Sequence, residues 1–329
     1  MIPNIFRIFF MRIKVGNTPA LCLPPLYHMS LLSYLRIVML RRFSLLLILI
    51  LLLGLDLGAQ DMKAYQIYSA KAKKVSFGKM AKKLSKADLV LFGESHDLSL
   101  AHWLELLVLE HLAAQPQDLV LGLEMFEADE QDALDRYQAG MIDHDSLAAR
   151  ITLWSNYETD YRSVVDRAVE LGVHVVATNA PTELPRKVFR EGFSALEGLA
   201  PETIALLPEL PIPYDPTLPG YKKMLEMDHG DMNSENFPRA QAIRDATMAH
   251  HIIRHLGNNK VLHLNGSYHS DHFEGICWYV NHHRPETALV TISTVTQKDI
   301  SQLESAHAGK ADFIICVPEQ MPRSYHTSF

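Results

Sequence analysis

Residues 89–96, LVLFGESH, constrain this chain more than any other stretch. Four consecutive apolar residues, Leu89, Val90, Leu91 and Phe92, are bounded by polar neighbours. So short and uniform a run suits a strand buried on both faces, as in a parallel sheet covered by helices. Gly93 is expected to let the backbone turn, which leaves Glu94, Ser95 and His96 at the strand's carboxyl end. A helical pattern starts at once, in Leu100, Leu104, Leu107, Val108 and Leu112. Ligands of open α/β sheets bind at that edge, so a carboxylate and an imidazole two residues apart are placed there for chemistry.

The pattern recurs along the chain. Runs at 118–123, 173–177, 260–264, 288–295 and 313–317 read as further strands, with amphipathic helical stretches between most of them. Strand–helix alternation implies an α/β fold: a mostly parallel sheet flanked by helices. Residues 182–256 are long enough to form a helical insertion or cap subdomain. Pro238 suits the first turn of its last helix, and Gly257 suits that helix's end.

The amino terminus has the order of a processing signal. Arg41 and Arg42 precede an apolar run from 43 to 55, and Leu57-Gly58-Ala59 offers a small-residue cleavage site before Gln60. The expectation is a start at Met39, with residues 1–59 comprising an over-long start and a signal peptide, and 60–329 the folded domain. The alternative is an uncleaved anchor, for which the run is short against a span of roughly 20 residues. The exported protein would lie in the periplasm or at the envelope, and no cysteine after the apolar run offers a lipid-attachment site. Six of the 31 Lys/Arg and one of the 38 Asp/Glu fall before Gln60. The remaining domain is therefore strongly acidic, which argues against nucleic acid as a partner. Beyond Cys22, two cysteines remain, Cys277 and Cys316. They could form a disulfide in an oxidising compartment or stay as buried thiols.

Polar residues follow four of the strands: Glu94 and His96, Glu124, Asn179, and Asn265 with His269. Loops after parallel strands converge on one edge. There, Glu94, His96, Glu124 and His269 could act as general acid and base, and His96, Glu124 and His269 could hold a divalent metal such as zinc or manganese. Gly93-x-x-His96 and Gly266-x-x-His269 share one spacing, although both histidines could instead cap neighbouring helices. Arg244 either faces the edge and neutralises a glutamate or points to solvent. Met224, Met227 and Met232, beside His229, are either core filler or a flap over an apolar ligand. Tyr157 and Tyr161 are either core aromatics or phenolate donors to ferric haem. For haem, Tyr157, Tyr161 or His229 would supply the iron ligand, and Arg162 or Arg244 a propionate partner.

LVLFGESHD, LGLEMF, Tyr157-x-x-Asp160-Tyr161-Arg162 followed by GVHVVATNAP, AQAIRDATMAHHI and VLHLNGSYHSD together resemble the ChaN-like family. These are bacterial haem-binding proteins of the wider Tiki and erythromycin-esterase-like superfamily, linked to iron uptake. The resemblance implies an exported α/β protein that binds haem for haem or iron acquisition, as a homodimer with the cofactor at its interface or with an envelope uptake partner. From the wider superfamily it also implies an alternative, a metal-dependent protease or esterase. The positions matching the Tiki proteases' motifs are His96, His269 and Glu124.

Overall fold

Every residue of Leu89–Glu94 (β3) is buried, because β3 is paired in parallel on both sides and covered on both faces. Its alternate side chains enter two different cores: Val90 and Phe92 one, Leu89 and Leu91 the other. A computed structural model describes residues 35–36, 38–44, 63–226, 234–257 and 259–324. The chain divides into Met1–Met62 and Lys63–Phe329. In the first unit the described residues are helical. The expected cleavage site and most of the apolar run lie outside the described residues.

The second unit carries an eight-stranded sheet. Its strands are β1 (Gln66–Ser69), β2 (Lys74–Val75), β3, β4 (Leu119–Glu127), β5 (His174–Asn179), β6 (Lys260–Gly266), β7 (Leu289–Gln297) and β8 (Phe313–Pro318). The order is β2-β1-β8-β7-β3-β6-β4-β5. The six strands from β8 to β5 are parallel to one another. β1 and β2 add an antiparallel extension beside β8.

Two helical layers cover the sheet. On one face lie α2 (Ser99–Ala113) and α5 (Arg162–Glu170), burying Leu104, Val108, Val164 and Val165 against Phe92, Leu123 and Leu264. On the other lie α6 (Glu183–Glu191), α9 (Phe237–His255) and α10 (Ile276–His283), burying Val188, Ile243, Met248 and Val280 against Leu91 and Val261. A fully buried aliphatic side chain contributes about 1.5–3 kcal/mol, so these layers hold the sheet closed. The shorter helices are α1 (Phe77–Leu84), α3 (Gln131–Gln138), α4 (His144–Ala148), α7 (Pro201–Ile204) and α8 (Pro219–Leu225). Among the described residues of 182–256, α6 and α9 are the longest helices, and they form a layer on the sheet itself. Among the described residues no helix is long and apolar enough to cross a membrane.

The chain runs from β3 toward β5 and then turns back through β6 to β7 and β8. The strand order therefore reverses beside β3 and β6, and the carboxyl ends of β3, β6 and β4 share one crevice, the expected position for a ligand. At the sheet's other end, β5 is an edge strand with outward-facing backbone groups. Gln138 accepts from the Val175 N–H at 2.6 Å and donates to the Val175 carbonyl at 2.9 Å. Gln131 accepts from the Ala177 N–H at 2.7 Å. The two glutamines of α3 thus stand where a ninth strand would pair.

Candidate functional site

Gly93 is part of β3, not the turn after it. A Cβ there would lie 3.0 Å from the Ile292 carbonyl oxygen and from Ser270 Oγ. Glycine is used for close approach of neighbouring chains, and the strand continues one residue further to present Glu94 at its end.

Glu94 is buried and accepts from several groups. His96 Nδ1 lies 2.7 Å from its Oε1, and the Tyr161 hydroxyl donates to the same oxygen at 2.6 Å. His102 Nδ1, from α2, lies 3.0 Å from Oε2. Burial alone would raise the Glu94 pKa, but hydrogen bonds from His102 and His96 hold it well below the usual range. His96 is the part-exposed member, with 39% of its side chain accessible. Burial pulls its pKa down, but the hydrogen bond to Glu94 and the charge of Glu124 leave it raised. The Trp154 ring meets the imidazole edge-on at 5.0 Å.

A second pair stands across the crevice. β4 is irregular between Leu123 and Glu127, a distortion that re-aims side chains, and Glu124 lies within it. Its Oε1 is 3.1 Å from His269 Nε2, and its Oε2 accepts from the Gly266 N–H at 2.7 Å. His269 Nδ1 lies 2.5 Å from Asp245 Oδ1, and the Tyr221 hydroxyl donates to Asp245 Oδ2 at 3.1 Å. Burial opposes charge on both members of the Glu124–His269 pair. Their mutual attraction still carries the carboxyl down to about 2 and, with Asp245, the imidazole up to about 10.

The two pairs meet at Gly266. A Cβ there would lie 2.7 Å from His96 Nε2 and 3.6 Å from Glu124 Oε2. Gly266→Ala is therefore expected to push the imidazole off Glu94 and cost about 1–3 kcal/mol through overpacking. The check is the His96 titration by NMR: its midpoint should fall back toward 6.5, and an unchanged midpoint would contradict this placement.

The other expected residues divide. Arg244 faces the edge and donates to Asn179 Oδ1 at 3.2 Å; His269, in direct contact, is the partner that neutralises Glu124. Arg162 lies on the outer side, paired with Glu158 at 2.9 Å and Asp166 at 3.4 Å. Tyr157 and Tyr161 begin and end one π-helical turn, Tyr157–Tyr161. Tyr157 is packed between Phe126 and His144, and Tyr161 donates to Glu94. Burial raises both phenols' pKa values. Met224 is buried; Met227, His229 and Met232 lie outside the described residues. Cys277 and Cys316 are free buried thiols.

The donor atoms of His96, Glu124 and His269 do not gather into one metal-sized cluster, because both nitrogens of His269 already face Glu124 and Asp245. Among the described residues that spacing is met by Glu94, His102 and Glu105, whose donor atoms lie within 4.8 Å of one another. His102 and Glu105 were not anticipated. The available signal was a pair of ionisable groups three residues apart in the apolar first part of a helix.

Residues 80–280 match a family described as haem-binding uptake, Tiki superfamily, ChaN. No curated protein matches the chain in sequence. Among solved structures, the Campylobacter jejuni ChaN structure, which shows cofacial haem binding, has a TM-score of 0.60 at 20% identity. That likeness covers 78% of this chain and 98% of that one and shows a shared fold. A Bacillus cereus protein (TM-score 0.47, 12% identity) covers 80% of this chain and 97% of its own. An erythromycin esterase in its open conformation (TM-score 0.45, 11% identity) covers 78% and 98%.

Proposed function

Because this chain belongs to the haem-binding uptake family of the Tiki superfamily that includes ChaN, we propose that it binds haem at the carboxyl edge of its sheet, for haem or iron acquisition outside the cytoplasm. The observation that carries this reading is His96, a part-exposed imidazole at the crevice with its Nδ1 held by Glu94. A carboxylate on one ring nitrogen fixes the tautomer and makes the other a stronger donor. The surroundings fit a flat, largely apolar ligand with acidic substituents. Trp154 borders the imidazole, Tyr268 and Phe273 are exposed on the loop after β6, and Arg244 is a cation facing the edge. When bound, haem supplies an iron centre open to a nitrogen donor. His96 would provide that donor and Arg244 would meet a propionate. Export is supported by the amino-terminal sequence. A two-chain assembly is proposed by analogy with the cofacial arrangement in the C. jejuni protein.

Titrating haemin into the protein is expected to give a saturable Soret change. His96→Ala should weaken binding roughly 100-fold or more, equivalent to about 3 kcal/mol. Wild-type affinity should improve as pH rises through the raised His96 pKa, since only the neutral imidazole can donate to iron. Equal binding by wild type and His96→Ala would remove His96 from the site, and His229→Ala would then be the variant to measure.

A second reading rests on the same imidazole. His269 has both nitrogens against carboxylates and is held protonated, whereas His96 combines an orienting carboxylate with access to solvent. That is the arrangement of a general acid–base group. Hydrolysis of a p-nitrophenyl ester that is lost in His96→Ala, in a protein with no saturable Soret change, would favour this reading over haem binding.

A further inference from the structure

Behind the crevice, on the α2 side of β3, Glu94 faces two ionisable side chains that neither reading uses, His102 and Glu105. Glu94, His102 and Glu105 are all buried, with relative exposures of 1%, 4% and 0%. His102 Nδ1 stands 3.0 Å from Glu94 Oε2 and 3.1 Å from Glu105 Oε2. The opposite ring nitrogen, Nε2, lies 3.2 Å from the His96 carbonyl oxygen, which can only accept. That contact fixes the proton on Nε2, so in the neutral ring the Nδ1 lone pair faces the two carboxylates. A backbone carbonyl on the remote nitrogen is the usual support of a metal-bound histidine. The second sign is on the carboxylates. Glu105 Oε1 is fully buried yet has no hydrogen-bond partner among the described residues.

We propose that Glu94, His102 and Glu105 form a buried site for a divalent transition-metal cation, with zinc as its simplest occupant. Ligands held about 2.0–2.2 Å from zinc in a tetrahedral shell stand a little over 3 Å apart, close to the separations seen around Nδ1. One imidazole with two carboxylates suits zinc or manganese better than calcium or magnesium, which prefer oxygen shells. A cation there gives the orphaned Glu105 oxygen a partner and offsets the buried negative charge of Glu94. The enclosed position means that it enters as the chain folds. Because Glu94 also holds His96, the cation would fix the orientation of the crevice imidazole from behind. The site is separate from the His96, Glu124 and His269 edge and does not depend on haem binding.

The test uses the full chain produced in zinc-supplemented medium, dialysed against EDTA, and analysed for metal content and by zinc K-edge X-ray absorption. The expected result is one zinc per chain in a shell with a single imidazole. Glu105→Gln and His102→Gln should each retain at least tenfold less zinc, and His269→Gln should retain it in full. A wild-type protein free of zinc would overturn the proposal, as would a shell containing two or more imidazoles. Retention equal to wild type in both Glu105→Gln and His102→Gln would also overturn it. The absorption measurement needs only wild-type protein, so a variant that fails to fold does not remove the test. Haem titration is run separately, and its failure leaves this result standing.

Discussion

Glu94→Ala is expected to lower the unfolding free energy by about 3–5 kcal/mol, the range for removing one partner of a buried charged network. The buried carboxylate receives the Tyr161 hydroxyl and His96 Nδ1 on one oxygen and faces His102 on the other. Alanine leaves the Tyr161 hydroxyl enclosed without an acceptor, and it leaves His102 beside Glu105 alone. Glu94→Gln keeps the shape and one acceptor, so its loss should be smaller, about 1–3 kcal/mol. Urea unfolding checks both. The midpoint should fall in the order wild type, Gln, Ala, with the slope unchanged if the effect is on the folded state. A loss below about 1 kcal/mol in the alanine variant would mean that the network does not hold the edge together.

Stability is expected to peak near pH 6.5 and to decline on both sides, by an amount on the order of a few kcal/mol toward the extremes. His269 and His102 are carried up to about 10 and about 11, against an ordinary 6.5, because facing carboxylates outweigh burial. Groups with raised folded values stabilise fully below pH 6.5 and lose that contribution as pH climbs toward those values. Glu124 is held down to about 2 against 4.5. Its contribution is complete above pH 4.5 and disappears as pH falls toward 2. His251 and His263 are pushed down to about 4 by burial, so they subtract stability as pH drops below 6.5. The acid limb therefore begins with these neutral histidines and steepens once Glu124 protonates. Chemical denaturation at a series of pH values measures the curve. His269→Gln should be less stable throughout, with a shallower alkaline limb. An alkaline slope identical to wild type would mean that His269 is not the group being titrated.

What the sequence revealed of this site follows from burial. β3, β4 and β6 are enclosed on both faces, so their short apolar runs stand out. Parallel pairing then requires Glu94, Glu124 and His269 to leave the sheet at the same end. The partners were harder to see because they sit on helices whose orientation depends on packing. α2 is apolar nearly all round, and nothing in its pattern says that His102 and Glu105 turn inward. Arg244 and Asp245 are adjacent on α9, and a rotation of about 100° per residue sends one to Asn179 and the other to His269. The sequence suggested Arg244 and passed over Asp245. Tyr157 and Tyr161 are separated by a π-helical turn, a wider coil than an α-helix and often found near functional sites. It carries the first into the aromatic core and the second onto Glu94. Gly93 showed its importance in sequence but not its reason, since crowding by Ile292 and Ser270 depends on residues nearly 200 positions away.

The glutamines beside β5 bear on how molecules of this protein can come together. An unguarded sheet edge invites another chain to add a strand, which is a common route to fibrils and to runaway association. Here the Val175 N–H and carbonyl and the Ala177 N–H are already matched by Gln131 and Gln138, so an incoming backbone would first have to displace two side-chain amides. The opposite margin ends in a strand of only two residues, one of them the exposed Lys74. With one margin covered by side chains and the other cut short, growth by continuous β-structure is disfavoured in either direction. Any association of these molecules would therefore run through side chains and not through a shared sheet.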